Sequence, residues 1–236
     1  EVKRIGSLVA AFNEEEINTI TELYNRGVSN NVPNLKLISP EQALEIEPNL
    51  NPLVKAALYA PTAGITEPWT VAIAAVENAV ANGLNLVLEE KVTGIETQDK
   101  KVKKVITDKG SYTADIVINA AGLYADDIAA MVCSDYRPLH PRKGEYILLS
   151  KVTSSDLVKT IVFPAPGKMG KGVLVLPTID GGILLGPTSQ DLDRRYKEDK
   201  STTQDGIDFI IEKTRQLIPK IDIRNAIKTF AGLRPE

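Results

Sequence analysis

The side chains best suited to chemistry lie beside a glycine or a proline at the ends of short apolar runs. They are Arg142 and Lys143 before Gly144, Tyr146, Thr178 after Pro177, Thr188 after Pro187, and Arg234 between Leu233 and Pro235. An arginine can hold a carboxylate or a phosphate through two parallel hydrogen bonds. The leucine and proline neighbours favour a fixed, partly desolvated position for Arg234, which makes it the strongest candidate for an anion ligand. The alternative is an arginine in a surface ion pair.

The residue types that dominate enzyme active sites are scarce. His140 is the only histidine of the sequence and Cys133 its only cysteine. A metal site built from several histidines, or a triad that needs a second histidine, is therefore excluded. A histidine between leucine and proline is typical of a structural turn, and a lone cysteine after a predicted helix is typically packed. No metal site is predicted.

A second candidate site is a stretch of bare backbone. The continuous apolar run at 116–118 predicts a strand covered on both faces, and a helix pattern begins just after it. Between them, Asn119, Ala120, Ala121 and Gly122 carry little side-chain bulk. Such a turn lets a phosphate or a ribose approach the peptide groups near a helix start. The alternative is an ordinary turn in which glycine supplies an unusual dihedral angle.

The spacing of apolar residues predicts the elements that position these groups. Helices are predicted from a cap at Asn13 to about Gly27, from Ser39-Pro40 onward, over 69–81 and over 205–218. Strands are predicted at 5–11, 54–59, 84–88, 92–97, 102–107, 116–118, 146–149, 160–163, 173–176, 183–185 and 227–231. The alanine-rich stripe of the helix at 69–81 predicts close packing against a sheet.

The order of these elements predicts two interleaved domains. A helix, a strand, a small antiparallel excursion at 92–107, and then a strand and loop match the second half of a dinucleotide-binding domain. Beyond Met131, short apolar runs between Gly- and Pro-containing turns indicate a mainly antiparallel sheet. We therefore divide the chain into 1–60 and 134–236, which share one domain, and 61–133, which forms part of the other.

The composition excludes several classes of protein. The 236 residues are 43% hydrophobic and carry a net charge of -3, with 28 scattered basic residues, so no nucleic-acid partner is expected. No apolar run approaches the roughly 20 residues of a membrane span, and no signal peptide opens the chain. These features predict a cytoplasmic protein. Both ends interrupt strand-like patterns, which predicts a fragment of a longer chain.

Seven short motifs carry a resemblance to one family. They are GITEPW at 64–69, KVTGI at 91–95, NAAG at 119–122, PRKGEY at 141–146, GVLVLPT at 172–178, LGPT at 185–188 and AGLRP at 231–235. In this order they resemble the FAD-dependent oxidoreductases of the D-amino-acid-oxidase-like superfamily. Within that superfamily, the chain is most similar to the anaerobic-type glycerol-3-phosphate dehydrogenases.

The resemblance implies a fold and a cofactor. The fold is of the mixed α+β and α/β class, with a partial FAD-binding Rossmann-like domain interleaved with a substrate domain on a mixed, mainly antiparallel sheet. Val92 would lie near the adenine side of FAD, and Ala120, Ala121 and Gly122 along its ribose and pyrophosphate. The family's G-x-G-x-x-G fingerprint is absent, because none of the 16 glycines has that spacing. We therefore expect this chain alone to hold FAD weakly and to be inactive.

The resemblance also implies a reaction, in which glycerol 3-phosphate is oxidised to dihydroxyacetone phosphate by hydride transfer to flavin. Arg234 would bind the anionic group of this small substrate, with Arg142, Lys143 and Thr188 beside it. Tyr146 stands where the aerobic branch has a histidine that assists proton removal, so it is the candidate catalytic residue. A tyrosine serves as a base only if its pKa is lowered.

Other functions stay open on the sequence alone. One alternative is an FAD-dependent 2-hydroxyglutarate or amino-acid oxidase, and another is a non-catalytic binding module on the same scaffold. The resemblance also leaves room for an electron-acceptor partner, or for a peripheral position at the inner face of the membrane.

Overall fold

The computed structural model describes residues 2–167 and 172–236. Its helices are α1 (Glu14–Ser29), α2 (Pro40–Ile46), α3 (Pro68–Ala81), α4 (Ala125–Ala130), α5 (Lys151–Ser154) and α6 (Gln204–Leu217). Its strands are β1 (Val2–Arg4), β2 (Ser7–Ala11), β3 (Lys36–Ile38), β4 (Ala56–Ala60), β5 (Gly64–Thr66), β6 (Val92–Gln98), β7 (Lys101–Thr107), β8 (Ser111–Tyr112), β9 (Pro141–Leu149), β10 (Ile161–Pro164), β11 (Leu174–Pro177), β12 (Ile183–Gly186), β13 (Gln190–Asp191) and β14 (Ala226–Pro235). The predicted mixed fold with mainly antiparallel sheets is confirmed.

The chain forms two compact units. The first comprises Glu1–Val71, Gly144–Ser189 and Lys200–Gly232, and the second comprises Ala72–Lys143, Gln190–Asp199 and Leu233–Glu236. Each unit is therefore assembled from separate stretches of the chain.

A long sheet forms the centre of the first unit. Its strands follow the order β9-β12-β11-β10-β2-β4-β3, and β14 also pairs with β9. Strands β2 and β10 run parallel, whereas β9–β12, β12–β11, β11–β10, β2–β4 and β4–β3 are antiparallel. Five of these six neighbouring pairs are antiparallel, so the sheet is mainly antiparallel, as the sequence predicts.

Apolar spacing decides which faces of this unit are buried. In β9 the side chains alternate, so that Ile147 and Leu149 enter the core together. In α6, Ile210, Thr214 and Leu217 recur at helical intervals and are buried, and Ile210 and Leu217 belong to the same core. The predicted helix at 205–218 is confirmed with ends shifted by one residue.

The helix starts of the first unit follow their capping residues. The Asn13 side chain accepts a hydrogen bond from the Glu16 amide at 2.9 Å, as its spacing predicts. Ser39 and Gln42 form a reciprocal capping box, in which each side chain accepts from the other residue's amide. One such cap contributes about 1 kcal/mol to stability.

The second unit contains the sheet β6-β7-β8, which is antiparallel throughout. Asp99 and Lys100 join β6 to β7 with φ angles of 51° and 62°. Two consecutive residues with positive φ are characteristic of a tight hairpin whose twist matches its strands. The antiparallel excursion predicted at 92–107 is confirmed as a hairpin.

Two predicted strands of this unit are wrong. Residues 84–88 and 116–118 have no strand conformation, and no described strand pairs with them. Ile116 and Ile118 are 80% and 85% exposed. An apolar run signals a tendency to be buried, but a strand also needs a neighbour that completes its hydrogen bonds. Within the described residues, neither segment has one.

The packing predicted for the helix at 69–81 is also wrong. The helix forms as α3, but none of its side chains is buried. The alanine-rich stripe has the spacing of a helix, but within residues 2–167 and 172–236 no sheet buries it. In those same stretches, no helix has both the length and the apolar character required to span a membrane.

Candidate functional site

The Asn119 side chain forms two hydrogen bonds with the backbone in and after the turn at 119–122. The Asn119 amide nitrogen donates to the Ala125 carbonyl at 2.7 Å, and its oxygen accepts from the Ala121 amide at 3.3 Å. Gly122 has a φ of 56°, and no atom lies within 4 Å of the place where a Cβ would be. The side chains around this turn are exposed. The backbone is therefore accessible to a ligand, as a phosphate or a ribose requires.

A buried ion-pair cluster anchors the helix that follows this turn. The Asp126 side chain is fully buried and accepts from the Lys197 ammonium at 2.7 Å and from the Leu139 amide at 2.9 Å. The Arg194 guanidinium lies 3.1 Å from the same carboxylate. Burial raises the pKa of Asp126, but these hydrogen bonds and nearby cations outweigh it and hold that pKa below its ordinary value. The start of α4 is thereby fastened to residues 194–197.

Two predicted anion ligands, Arg142 and Arg234, meet at one carboxylate in the second unit. Arg142 Nη1 lies 2.9 Å from Glu236 Oε1, and Arg234 Nη2 lies 3.0 Å from Glu236 Oε2. Arg142 also pairs with Asp191, and their hydrogen bond raises the pKa of Arg142 and lowers that of Asp191. The two arginines can therefore bind one anionic group together.

The surroundings of Arg234 differ from the sequence-based expectation. Its side chain is 64% exposed, so the predicted desolvated setting is wrong. Leucine and proline neighbours in the sequence do not bury a side chain that projects from a strand near its end. The alternative, an arginine in an exposed ion pair, describes what the structure shows.

Lys143 is placed differently from its neighbour Arg142. It is 2% exposed, and its ammonium donates to Asp199 at 3.2 Å. Successive side chains of a strand point to opposite faces, so Lys143 and Arg142 cannot serve the same surface. The prediction that Lys143 binds substrate disagrees with this burial, which assigns it a structural ion pair.

Tyr146 and Thr188 lie in the first unit. The Tyr146 ring stacks on Phe230 with 5.2 Å between centroids and 12° between planes. The Thr188 hydroxyl accepts from the Glu145 amide at 2.9 Å, and the Thr188 amide donates to the Glu145 carbonyl at 3.1 Å. A hydroxyl that accepts from an amide keeps its own proton to donate to a ligand.

The sequence reasoning missed three residues around these groups: Glu145, Asp126 and Lys197. All three are charged and buried, and charged side chains are rarely buried unless paired. For Glu145 a signal was present, because it shares the buried face of β9 with Ile147 and Leu149. For Asp126 and Lys197 there was none, because the pair joins residues 71 positions apart.

The described side chains can bind an anion and exchange a proton, but they do not form a metal site. Within residues 2–167 and 172–236, no cluster of histidine, cysteine, aspartate and glutamate has the geometry for a metal ion. In the second unit, the pair formed by Arg142 and Arg234 suits an anionic group. In the first unit, Tyr146 and Thr188 each carry a hydroxyl that can take part in proton exchange.

Comparison with known proteins gives a consistent picture. The whole chain, residues 1–236, matches the family model for FAD dependent oxidoreductases. It is 45% identical over 232 residues to a glycerol 3-phosphate dehydrogenase of Caloramator mitchellensis, covering 98% of this chain and 48% of that protein. It is 30% identical over 225 residues to the mitochondrial L-2-hydroxyglutarate dehydrogenase of Homo sapiens, covering 89% of this chain and 48% of that protein.

The fold is also similar to solved structures. A dithionite-reduced, FAD-bound L-α-glycerophosphate oxidase from Mycoplasma pneumoniae superposes with a TM-score of 0.90 at 30% identity, covering 99% of this chain and 62% of that one. The chain thus spans about half the length of the two curated relatives and about three-fifths of the solved oxidase.

Proposed function

Because the chain belongs to the family of FAD dependent oxidoreductases, we propose that the whole protein oxidises glycerol 3-phosphate to dihydroxyacetone phosphate. The observation that carries this proposal is the similarity to a glycerol 3-phosphate dehydrogenase, which extends over 98% of the chain at 45% identity. The convergence of Arg142 and Arg234 on one carboxylate supports it, because a phosphate monoester requires several cationic donors.

The turn at 119–122 fits the cofactor. Its exposed backbone and the open space beside Gly122 suit Ala120, Ala121 and Gly122 to the ribose and pyrophosphate of FAD. Val92, at the start of β6, would face the adenine side. When bound, FAD would supply the acceptor for the hydride that leaves the substrate carbon carrying the hydroxyl. Without a G-x-G-x-x-G in its sequence, the 236-residue chain alone is expected to bind FAD weakly.

The chain's own residues have binding and proton-transfer roles in this proposal. Arg142 and Arg234 hold the phosphate, in exchange for the Glu236 carboxylate that they bind in this structure. Thr188 donates its hydroxyl proton to a substrate oxygen. Tyr146, in its phenolate form, takes the proton of the substrate hydroxyl, and the stacked Phe230 fixes the orientation of its ring. Lys143 is not included, because it is buried with Asp199.

The test is flavin reduction in the purified full-length protein. Under anaerobic conditions, glycerol 3-phosphate should bleach the flavin absorbance, whereas 2-hydroxyglutarate and amino acids should not. A bound flavin that glycerol 3-phosphate leaves oxidised would overturn the substrate assignment. A full-length protein that carries no flavin would overturn the enzyme assignment and favour a non-catalytic module.

Oxidation of 2-hydroxyglutarate is the second candidate function. It is favoured by the 30% identity to the human L-2-hydroxyglutarate dehydrogenase and by the carboxylate that Arg142 and Arg234 hold here. Bleaching by 2-hydroxyglutarate, and not by glycerol 3-phosphate, would establish it.

We also propose that the reduced enzyme passes its electrons to an acceptor partner. This partner lies either in the cytoplasm or at the inner face of the membrane. Fractionation of cells into cytosol and membranes, followed by assay of the activity with soluble and membrane-bound acceptors, distinguishes the two locations.

A further inference from the structure

Glu145 is a buried acid that the proposed reaction does not use. It is 1% exposed, and its carboxylate faces the start of α6 in the first unit. The Thr203 amide donates to Oε2 at 3.2 Å, and the Thr203 hydroxyl donates to Oε1 at 3.1 Å. An acid without such partners would be strongly destabilised by burial. The positive end of the helix dipole offsets part of that cost.

The start of α6 is shaped around this carboxylate. The Thr203 hydroxyl that donates to Glu145 also accepts from the Gly206 amide at 3.1 Å, so it is the helix cap. A Cβ at Gly206 would lie only 2.0 Å from Glu145 Oε2. A glycine in a helix is normally less stabilising than an alanine. Here it makes room for the acid.

The backbone of Glu145 connects the same residue to the candidate site. Its amide and carbonyl form both hydrogen bonds to Thr188. Tyr146 follows directly in β9 and points to the opposite face of the strand. Glu145 therefore lies between the cap of α6 on one side and two proposed substrate-contacting residues on the other.

We propose that Glu145 is a positioning residue, which uses the amino-terminal cap of α6 to fix Tyr146 and Thr188 in the geometry that oxidation requires. This inference rests on the proposed function. It assigns Glu145 no contact with the substrate, and it gives α6 a role in the reaction through Thr203. The rate of a reaction depends steeply on the positions of the reacting groups, and a shift of about 1 Å can slow it by about a hundredfold.

The test compares E145Q, T203V and T203S in the flavin-loaded full-length enzyme with the reducing substrate. T203V removes the hydroxyl donor, whereas T203S retains it. We expect E145Q and T203V each to lower kcat/KM by about tenfold or more. The double variant should have a kcat/KM no lower than that of E145Q, and T203S should have the kcat/KM of the wild type. E212Q, an exposed acid on the same helix, is the matched control and should leave the kinetics unchanged.

Two further measurements keep the outcome decisive. Kinetics are recorded well below the thermal midpoint of each variant, so that lost stability alone does not change kcat or KM. Wild-type kcat and KM in E145Q under those conditions would overturn the positioning role. Hydrogen exchange at the amides of residues 145 and 188 needs no substrate, and it should accelerate in E145Q and T203V. Unchanged exchange at these two amides would refute the inference, whatever the substrate is. A wrong substrate assignment is detected separately, because glycerol 3-phosphate would then fail to reduce the flavin of the wild-type enzyme.

Discussion

Replacing Asp126 by asparagine removes the buried carboxylate that the second unit uses to hold Lys197. Lys197 is 9% exposed, and after the substitution its remaining acidic partner among the described residues is Asp127, at 3.0 Å. One oxygen of Asp126 also becomes an amide nitrogen, which opposes either the Lys197 ammonium or the Leu139 amide. Breaking a buried pair by removing one partner costs about 3–5 kcal/mol. Because Asp127 persists, we expect the lower end, a loss of about 3 kcal/mol in the free energy of unfolding.

The assay is urea denaturation followed by circular dichroism, over a range of pH. The pKa of Asp126 is lowered in the folded chain, so its contribution is present above the pKa of an unfolded aspartate, about 3.9. It is lost as the pH falls through the folded-state value. The gap between wild type and D126N should therefore be constant near neutral pH and should shrink in acid. D127N is the control, because Asp127 is 44% exposed, and should cost less than about 1 kcal/mol. Equal losses in D126N and D127N would refute the reasoning.

Three other predictions follow from the site and the core. R142A and R234A should each raise KM for glycerol 3-phosphate about tenfold or more in the full-length enzyme, with a smaller change in kcat. Each substitution removes one charged hydrogen-bond donor. An unchanged KM would exclude that arginine as a phosphate ligand. G186A should lower the thermal midpoint markedly, because Gly186 has a φ of 133° and its Cβ would lie 2.7 Å from a backbone oxygen, whereas G110A, with open space around it, should not. Burial raises the pKa of Glu47, so the folded chain binds the carboxyl proton of Glu47 more tightly than the unfolded chain does. The folded chain therefore loses stability as the pH rises from the pKa of Glu47 in the unfolded chain through its pKa in the folded chain. E47Q should lack this decline in a pH series of urea melts, and parallel curves for the two chains would contradict it.

The parts of the fold that sequence predicts well are those fixed by neighbours in the chain. Asn13 and Ser39 cap helices because their partners lie three residues away. The hairpin at Asp99 and Lys100 follows for the same reason, since its turn and its register are local. In each case the physical cause acts within a few residues and can be read from the sequence.

The predictions that are wrong concern features that depend on residues far apart in the sequence. The apolar segments at 84–88 and 116–118 were predicted as strands, but no described strand completes their hydrogen bonds. The exposure of Arg234 depends on what surrounds it in space, as does the burial of Lys143 beside Asp199, 56 residues away. Glu145 shows an intermediate case. Its strand alternation indicates a buried face, but only the structure shows that the start of α6 receives the charge.

The close approach of Glu145 to Gly206 constrains how this sequence can evolve. With 2.0 Å between Glu145 Oε2 and a Cβ at position 206, no larger residue at 206 is compatible with a glutamate at 145 in its present rotamer. The two positions are therefore expected to covary among descendants of this sequence. The clash falls on the flexible end of the Glu145 side chain, so a residue with a Cβ at 206 would displace this carboxylate from the cap of α6.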